Sequence, residues 1–194
     1  TDTGVHATGQ VAHFDSMSER SLNSWLRGTN TELPDAVSLL AISQVSQQFH
    51  ARFSAIGRSY RYVILNRSIA PTFLRGRITW EYRPLNIRVM QLAARPLVGR
   101  HDFSAYRASG CQSKSAVRDL RKLSIESNGQ WIWIDVEAES FLQNMVRNIV
   151  CVLLDVVADE KDIKWPEDVL RSRDRQLGGS TAPPDGLYFA RASY

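Results

Sequence analysis

Apolar and polar positions change period several times along the chain, and each change marks an element. "RSYRYVILN" (58–66), rich in Tyr, Val and Ile, is predicted as a strand. "LRKLSIESNGQWIWIDVEA" (120–138) holds two alternating runs around Asn128-Gly129, the pattern of a tight hairpin. "GQVAHFD" (9–15) and "DGLYFARASY" (185–194) also read as strands. A helical period predicts a short helix in "SERSLNSWLRGTNTEL" (18–33), starting from a Ser cap and ending at Gly28. A second helix lies in "NIRVMQLAARPLVG" (86–99), closed by Pro96 and Gly99. "SFLQNMVRNIVCVLLDVVAD" (140–159) is a helix that becomes apolar nearly all round, as a core helix does. "DVLRSRDRQLGG" (168–179) is a shorter polar helix stopped by glycines, and "AVSLLAISQV" (36–45) fits either element. Strands and helices mix without a regular βα alternation, which predicts an α+β fold with a mainly antiparallel sheet. No internal repeat or low-complexity stretch interrupts the 194 residues.

The charge distribution adds what the pattern cannot. A net charge of +4 hides three unequal segments. Residues 1–48 carry Arg20 and Arg27 against Asp2, Asp15, Glu19, Glu32 and Asp35, a net −3. Residues 49–122 carry thirteen Arg and two Lys against Glu81, Asp102 and Asp119, a net +12, and residues 123–194 return to −5. Of the 24 basic residues 20 are Arg, whose planar fork grips phosphate and stacks on bases. A localised Arg-rich segment is the electrostatic footprint of a nucleic-acid surface; the alternative is a solvated basic face.

Two cysteines, Cys111 and Cys151, have no paired spacing, and His6, His13, His50 and His101 form no ligand cluster with them. A zinc site or disulfide framework is not expected, and a reducing compartment fits. The longest apolar run, Ile149 to Leu154, is too short to span a membrane. No signal peptide is expected.

The opening "TDTGVHATGQ" raises the question of chemistry. Asp2 in a small polar loop reads first as a turn or cap bonding nearby amides. Asp-Thr-Gly is also the short signature of aspartic proteases, but that chemistry needs two carboxylates sharing a proton, and the chain holds no second such tripeptide. The third reading uses the whole chain. "TDTGVHATGQVAHFD", "FHARFSAIGRSYRYVILN", "LVGRHDFSAYRASGCQSKSAVRDL", "FLQNMVRNIV" and "STAPPDGLYFARASY" resemble, in order, the blocks of the tRNA pseudouridine synthase A family. Thr3 replaces that family's usual Ala, and Cys151 and Val157 stand where it tends to use Gly.

The resemblance implies a pseudouridine synthase fold of two ferredoxin-like halves. The expected division gives residues 1–48 as the remainder of an N-terminal half carrying the catalytic loop, and 49–194 as the C-terminal half. The chain is accordingly expected to lack N-terminal strands and a first helix. The implied reaction isomerises a uridine already in tRNA to pseudouridine, at positions 38–40 of the anticodon stem-loop, with no cofactor and no metal. Asp2 matches the catalytic aspartate. Tyr60 matches the active-site tyrosine that holds the uracil, Arg147 the partner of the aspartate, and Leu187 an apolar wall of the base pocket. Period two puts Tyr60 and Tyr62 on one face of their strand, so the choice of Tyr60 rests on the motif match. Phe49, His50, Ala51, Arg52 and Phe53, with Gly110, Cys111, Gln112, Ser113 and Lys114, match blocks that contact tRNA. A homodimer in the cytoplasm is implied as well. The rival from another class is a noncatalytic RNA-binding module that keeps the fold and the basic face.

Overall fold

The computed structural model describes residues 1–158 and 161–194. It divides into two compact units, residues 1–10 with 55–194, and residues 11–54. Within the larger unit the strands are β1 (His6–Ala7), β2 (Gly57–Asn66), β3 (Thr79–Glu81), β4 (Gly99–Asp102), β5 (Val117–Asn128), β6 (Trp131–Ala138) and β7 (Leu187–Ser193). They form one sheet in the order β1-β7-β2-β6-β5-β4, with β3 alongside β2. The pairs β2–β6, β2–β7, β4–β5 and β5–β6 are antiparallel; β1–β7 and β2–β3 are parallel. The α+β class and the mainly antiparallel sheet are as expected, and the hairpin turns at Gly129, which takes the left-handed φ of 59° that such a turn requires.

Helix α1 (Leu22–Glu32) belongs to the smaller unit; α2 (Ile87–Ala94), α3 (Met145–Val157) and α4 (Trp165–Ser172) belong to the larger. α2 and α3 pack on one another, and α2 also packs on β5. Alternation along the strands supplies the core they cover. Tyr62 and Ile64 of β2, Ile134 and Val136 of β6, and Leu120 of β5 are buried with Met90, Leu97, Met145, Ile149 and Leu153. At roughly 25 cal/mol per Å² of apolar surface removed from water, this layer is the main source of stability. The opposite side of β2 and β6 stays half-solvated, where Arg61 clamps Asp135 through two hydrogen bonds of 2.7 and 2.8 Å.

Several expectations are corrected. Residues 9–15 form no strand; the sheet contact nearest them is β1, two residues earlier. An alternating pattern offers a face but not a neighbour for the backbone, and the chain leaves the sheet after the Thr8 amide bonds the Phe189 carbonyl. The first helix does not stop at Gly28 but runs through it to Glu32, because an exposed helical Gly costs only about 1 kcal/mol while Pro34 forbids continuation. Residues 36–45 adopt no regular element. Instead Asn30 holds Leu39 by both its backbone groups, at 2.9 and 2.7 Å. The third helix begins at Met145 rather than 140, since Asn144 sits at φ 60°, outside helical space. Asp159, its expected last residue, lies outside the described residues. The fourth spans 165–172, opened by Pro166 and ended by Arg173 at φ 56°, so the glycines at 178–179 are not its stop signal.

Candidate active site

The Asp2 loop is shaped by one glycine and one proline. The Val5 amide donates to the Asp2 carbonyl at 3.0 Å, closing a turn. Gly4 takes φ 80°, and a β-carbon there would lie 2.8 Å from Pro184 Cγ. Only glycine permits both the backbone angle and the approach. The loop then enters β1, paired to Tyr188 and Phe189 of β7. His6 stacks on Tyr188 with ring centroids 4.8 Å apart and donates from Nε2 to the Gly76 carbonyl at 2.9 Å. Asp2 itself is exposed.

Tyr60 stands in β2 with its ring against Phe141 and Phe189, each at a centroid distance of 5.1 Å and edge-on. Its hydroxyl makes no hydrogen bond among the described residues. Burial pushes the phenol above its ordinary range; Arg58 opposes the rise, and the negative charge of Asp2 adds to it. The two candidate groups therefore lie within electrostatic reach of each other. Tyr62, two residues on, is fully buried and spends its hydroxyl on Thr79 Oγ1 at 2.5 Å and the Pro183 carbonyl at 2.8 Å. The strand pattern could not separate these tyrosines; their hydroxyl partners do.

Arg147 occupies the first turn of α3 and is half-buried. Its Nε donates to the Ala182 carbonyl at 2.7 Å and one terminal nitrogen donates to Asn144 Oδ1 at 3.2 Å. No ion pair joins it to Asp2 among the described residues. Burial raises the Tyr62 phenol, and its hydrogen bond with Thr79 and the charge of Arg147 oppose the rise. Leu187 is buried opposite Tyr62 in the β2–β7 ladder. The preceding Gly186 lets β7 start close in, since a β-carbon there would meet Thr79 Oγ1 and the Val63 carbonyl at 2.6 Å.

The residues expected to touch RNA fall in both units. In the smaller one, His50 lies 4.4 Å from His13 and 4.3 Å from Phe53, ring to ring, and Arg52 lies over Phe53. Phe53 is nevertheless 75% exposed. Ala51 donates its amide to His13 Nδ1, and Phe49 meets His13 edge-on. In the larger unit Gly110, Gln112 and Lys114 are exposed on the loop before β5. Ser113 accepts from Arg118 at 2.7 Å. Burial raises the Cys111 thiol, but amide hydrogen bonds from Ser113 and Gln143 and the charges of Arg107 and Arg118 outweigh it and lower the pKa.

Sequence reasoning missed Arg58, Pro184, and the carbonyl of Ala182. Arg58 was within reach, because period two sets it on the face of Tyr60. The other two act through backbone or ring contact and leave no signal in residue type.

The exposed carboxylate of Asp2 thus stands on a glycine turn, and Tyr60 keeps its hydroxyl unspent. A family model described as tRNA pseudouridine synthase matches residues 93–194 and gives the class. The chain is 45% identical over all 194 residues to a tRNA pseudouridine synthase A of Hydrogenovibrio crunogenus, of which it covers 74%. It is 48% identical to that of Alcanivorax borkumensis, covering 73%, and 47% identical to that of Nitrosococcus oceani, covering 75%. The chain belongs to the tRNA pseudouridine synthase A family.

Proposed function

We infer that this chain isomerises uridine to pseudouridine in tRNA, and that Asp2 is the catalytic residue. The C1′–N1 bond breaks, the uracil turns over, and a C1′–C5 bond forms. The proton at C5 is lost and N1 ends protonated, so substrate and product are isomers and nothing is taken from outside. The observation that carries this reading is the placement of an exposed Asp2 within electrostatic reach of Tyr60, whose ring is held and whose hydroxyl is unspent.

Asp2 attacks the sugar or base covalently, or takes a sugar proton. Tyr60 stacks on the flipped uracil and relays the C5 proton. Leu187 walls the base pocket. Arg147 pairs with Asp2 and orients its carboxylate once the base is bound and water is displaced. Target uridines lie in the anticodon stem-loop, and extruding one costs a few kcal/mol. Phe49–Phe53 and Gly110–Lys114 each contact the tRNA. The enzyme works in the cytoplasm as a homodimer, and its fold is two ferredoxin-like halves. Incubation with unmodified tRNA followed by mass spectrometry of the nucleosides tests the reading. Pseudouridine in the anticodon stem-loop supports it. RNA bound without conversion replaces it with the noncatalytic module.

A further inference from the structure

Asn148 is fully buried in the most apolar helix of the protein. An amide there is costly unless it is bonded. Its Nδ2 donates to the Tyr106 carbonyl at 2.8 Å. Its Oδ1 accepts from Thr181 Oγ1 at 2.7 Å and from Arg175 at 3.2 Å. The same guanidinium donates to Thr181 Oγ1 at 3.1 Å and, through its other terminal nitrogen, to the Gly179 carbonyl at 2.7 Å. The side chains of Asn148 and Arg175 thus converge on Thr181.

The chain that leaves Thr181 runs on to the candidate active site. Ala182 exchanges two hydrogen bonds with Arg147: its carbonyl accepts Nε at 2.7 Å, and its amide donates to the Arg147 carbonyl at 3.3 Å. The Pro183 carbonyl accepts from Tyr62. Pro184 is the ring that Gly4 of the Asp2 loop abuts. Two consecutive prolines fix φ at both positions, which stiffens the segment between its anchor and its contact. A displacement at Thr181 is passed to Arg147 through Ala182 and to the Asp2 loop through Pro184.

We propose that Asn148, Arg175 and Thr181 are positioning residues: they anchor a stiff Thr181–Pro184 strut that sets Arg147 and the Asp2 loop in register for the reaction. The proposal rests on the assignment of Asp2 and Arg147 above. It explains why an apolar helix carries one buried amide. A misplacement of about 1 Å at a reacting group costs on the order of 100-fold in rate.

The test is Thr181→Val, which keeps the shape and removes the hydroxyl, with Thr181→Ser as the rescue and Arg175→Gln as an independent break. Single-turnover rate, tRNA dissociation constant and thermal midpoint are measured for each. Thr181→Val is expected to lower the rate between about tenfold and 100-fold, with the dissociation constant unchanged within about twofold. Thr181→Ser is expected to recover most of the rate, and Arg175→Gln to lose several-fold without a change in affinity. A wild-type rate in Thr181→Val overturns the proposal, whatever Arg175→Gln does. So does a loss that Thr181→Ser fails to recover, or one matched by the fraction of protein unfolded. Asp2→Asn and Arg147→Met are measured beside them. If those two retain the wild-type rate, the underlying assignment falls; if they abolish it while Thr181→Val does not, only the strut is wrong.

Discussion

Pro184 sits against Gly4, so close that a single methyl group on the glycine would come within 2.8 Å of the ring. One residue precedes the last strand and the other follows Asp2 by two positions, 180 apart in the chain, yet each limits where the other can be. Gly4→Ala adds the methyl and also places an L side chain at φ 80°, at a cost of roughly 1–2 kcal/mol before the clash is counted. The expected outcome is a fall in turnover of at least about tenfold with a modest loss in thermal midpoint, since a shift of about 1 Å in the reacting group costs more than the fold does. Pro184→Ala removes the ring and should restore part of the rate in the double variant. Unchanged turnover in Gly4→Ala would show that the loop position does not matter to the chemistry.

Arg147→Met keeps length and helix propensity while removing the charge and its two side-chain hydrogen bonds. The Ala182 carbonyl is left without the guanidinium, which costs about 1–3 kcal/mol where no water replaces it. If Arg147, half-buried on α3 against Ala182, serves Asp2 rather than phosphate, a large loss of activity with tRNA affinity nearly unchanged is expected. Filter-binding measurements in which affinity falls as far as activity would make it a tRNA contact instead.

How much of this was legible in the sequence depends on what kind of contact each element makes. β2, the β5–β6 hairpin, β7 and the core half of α3 were readable because each buries one face of its own period, as Tyr62, Ile64, Ile134 and Val136 do. The strand expected at 9–15 failed for the converse reason, since alternation cannot say whether a neighbouring strand exists. Gly28, Gly178 and Gly179 misled as stop signals: the first helix runs on to Glu32 before Pro34, and the fourth breaks at Arg173, whose left-handed backbone no residue-type rule singled out. At the site, motif resemblance supplied Asp2, Tyr60, Arg147 and Leu187. The geometry added Pro184 and Ala182, a ring and a carbonyl, which carry no functional side chain to notice.

Tyr60 gives a pH signature. Burial raises its phenol above the ordinary value near 10, so the folded state holds the proton more tightly than the unfolded chain. The stabilisation is fully present below about pH 10 and is lost as pH rises through the folded value. Tyr62 and Tyr106 are raised in the same direction, chiefly by burial, and contribute to the same alkaline fall. Tyr60→Phe should leave stability at neutral pH nearly unchanged, because its hydroxyl bonds no described protein group, and should flatten the decline above about pH 10. Thermal midpoints measured from neutral to strongly alkaline pH check this; an identical decline in wild type and variant would count against a buried Tyr60 phenol.

The +12 segment at 49–122 makes salt the simplest probe of RNA contact. With about 6–10 phosphate contacts, tRNA affinity should fall roughly 10³–10⁵-fold between 50 and 200 mM salt. Lys114→Ala should weaken binding alike for all tRNA sequences and reduce the salt slope by about 1. Phe53→Ala should weaken binding by about 1–3 kcal/mol with the slope unchanged, since it removes a stacking face rather than a charge. A titration that stays flat with salt would remove the basic face from the account of binding.

Asp2→Asn separates chemistry from capping in the opening loop. The side chain is exposed, and the turn beside it is closed by the Asp2 carbonyl and the Val5 amide, which the substitution leaves intact. Asn and Asp cap with similar strength, so a residue that only shaped the turn would tolerate the change. Removing the negative charge also removes one of the influences that raise the Tyr60 phenol, which therefore should titrate slightly lower in the variant. If Asp2 is the nucleophile or base, pseudouridine formation should vanish while tRNA affinity and thermal midpoint stay at wild-type values. The measurement is nucleoside mass spectrometry after prolonged incubation, with intact-protein mass confirming that deamidation of the introduced amide has not regenerated the carboxylate. Substantial conversion by a folded, intact Asp2→Asn protein would return this aspartate to the role of a turn residue and leave the catalytic group to be sought elsewhere on the face shared by Arg58 and Tyr60.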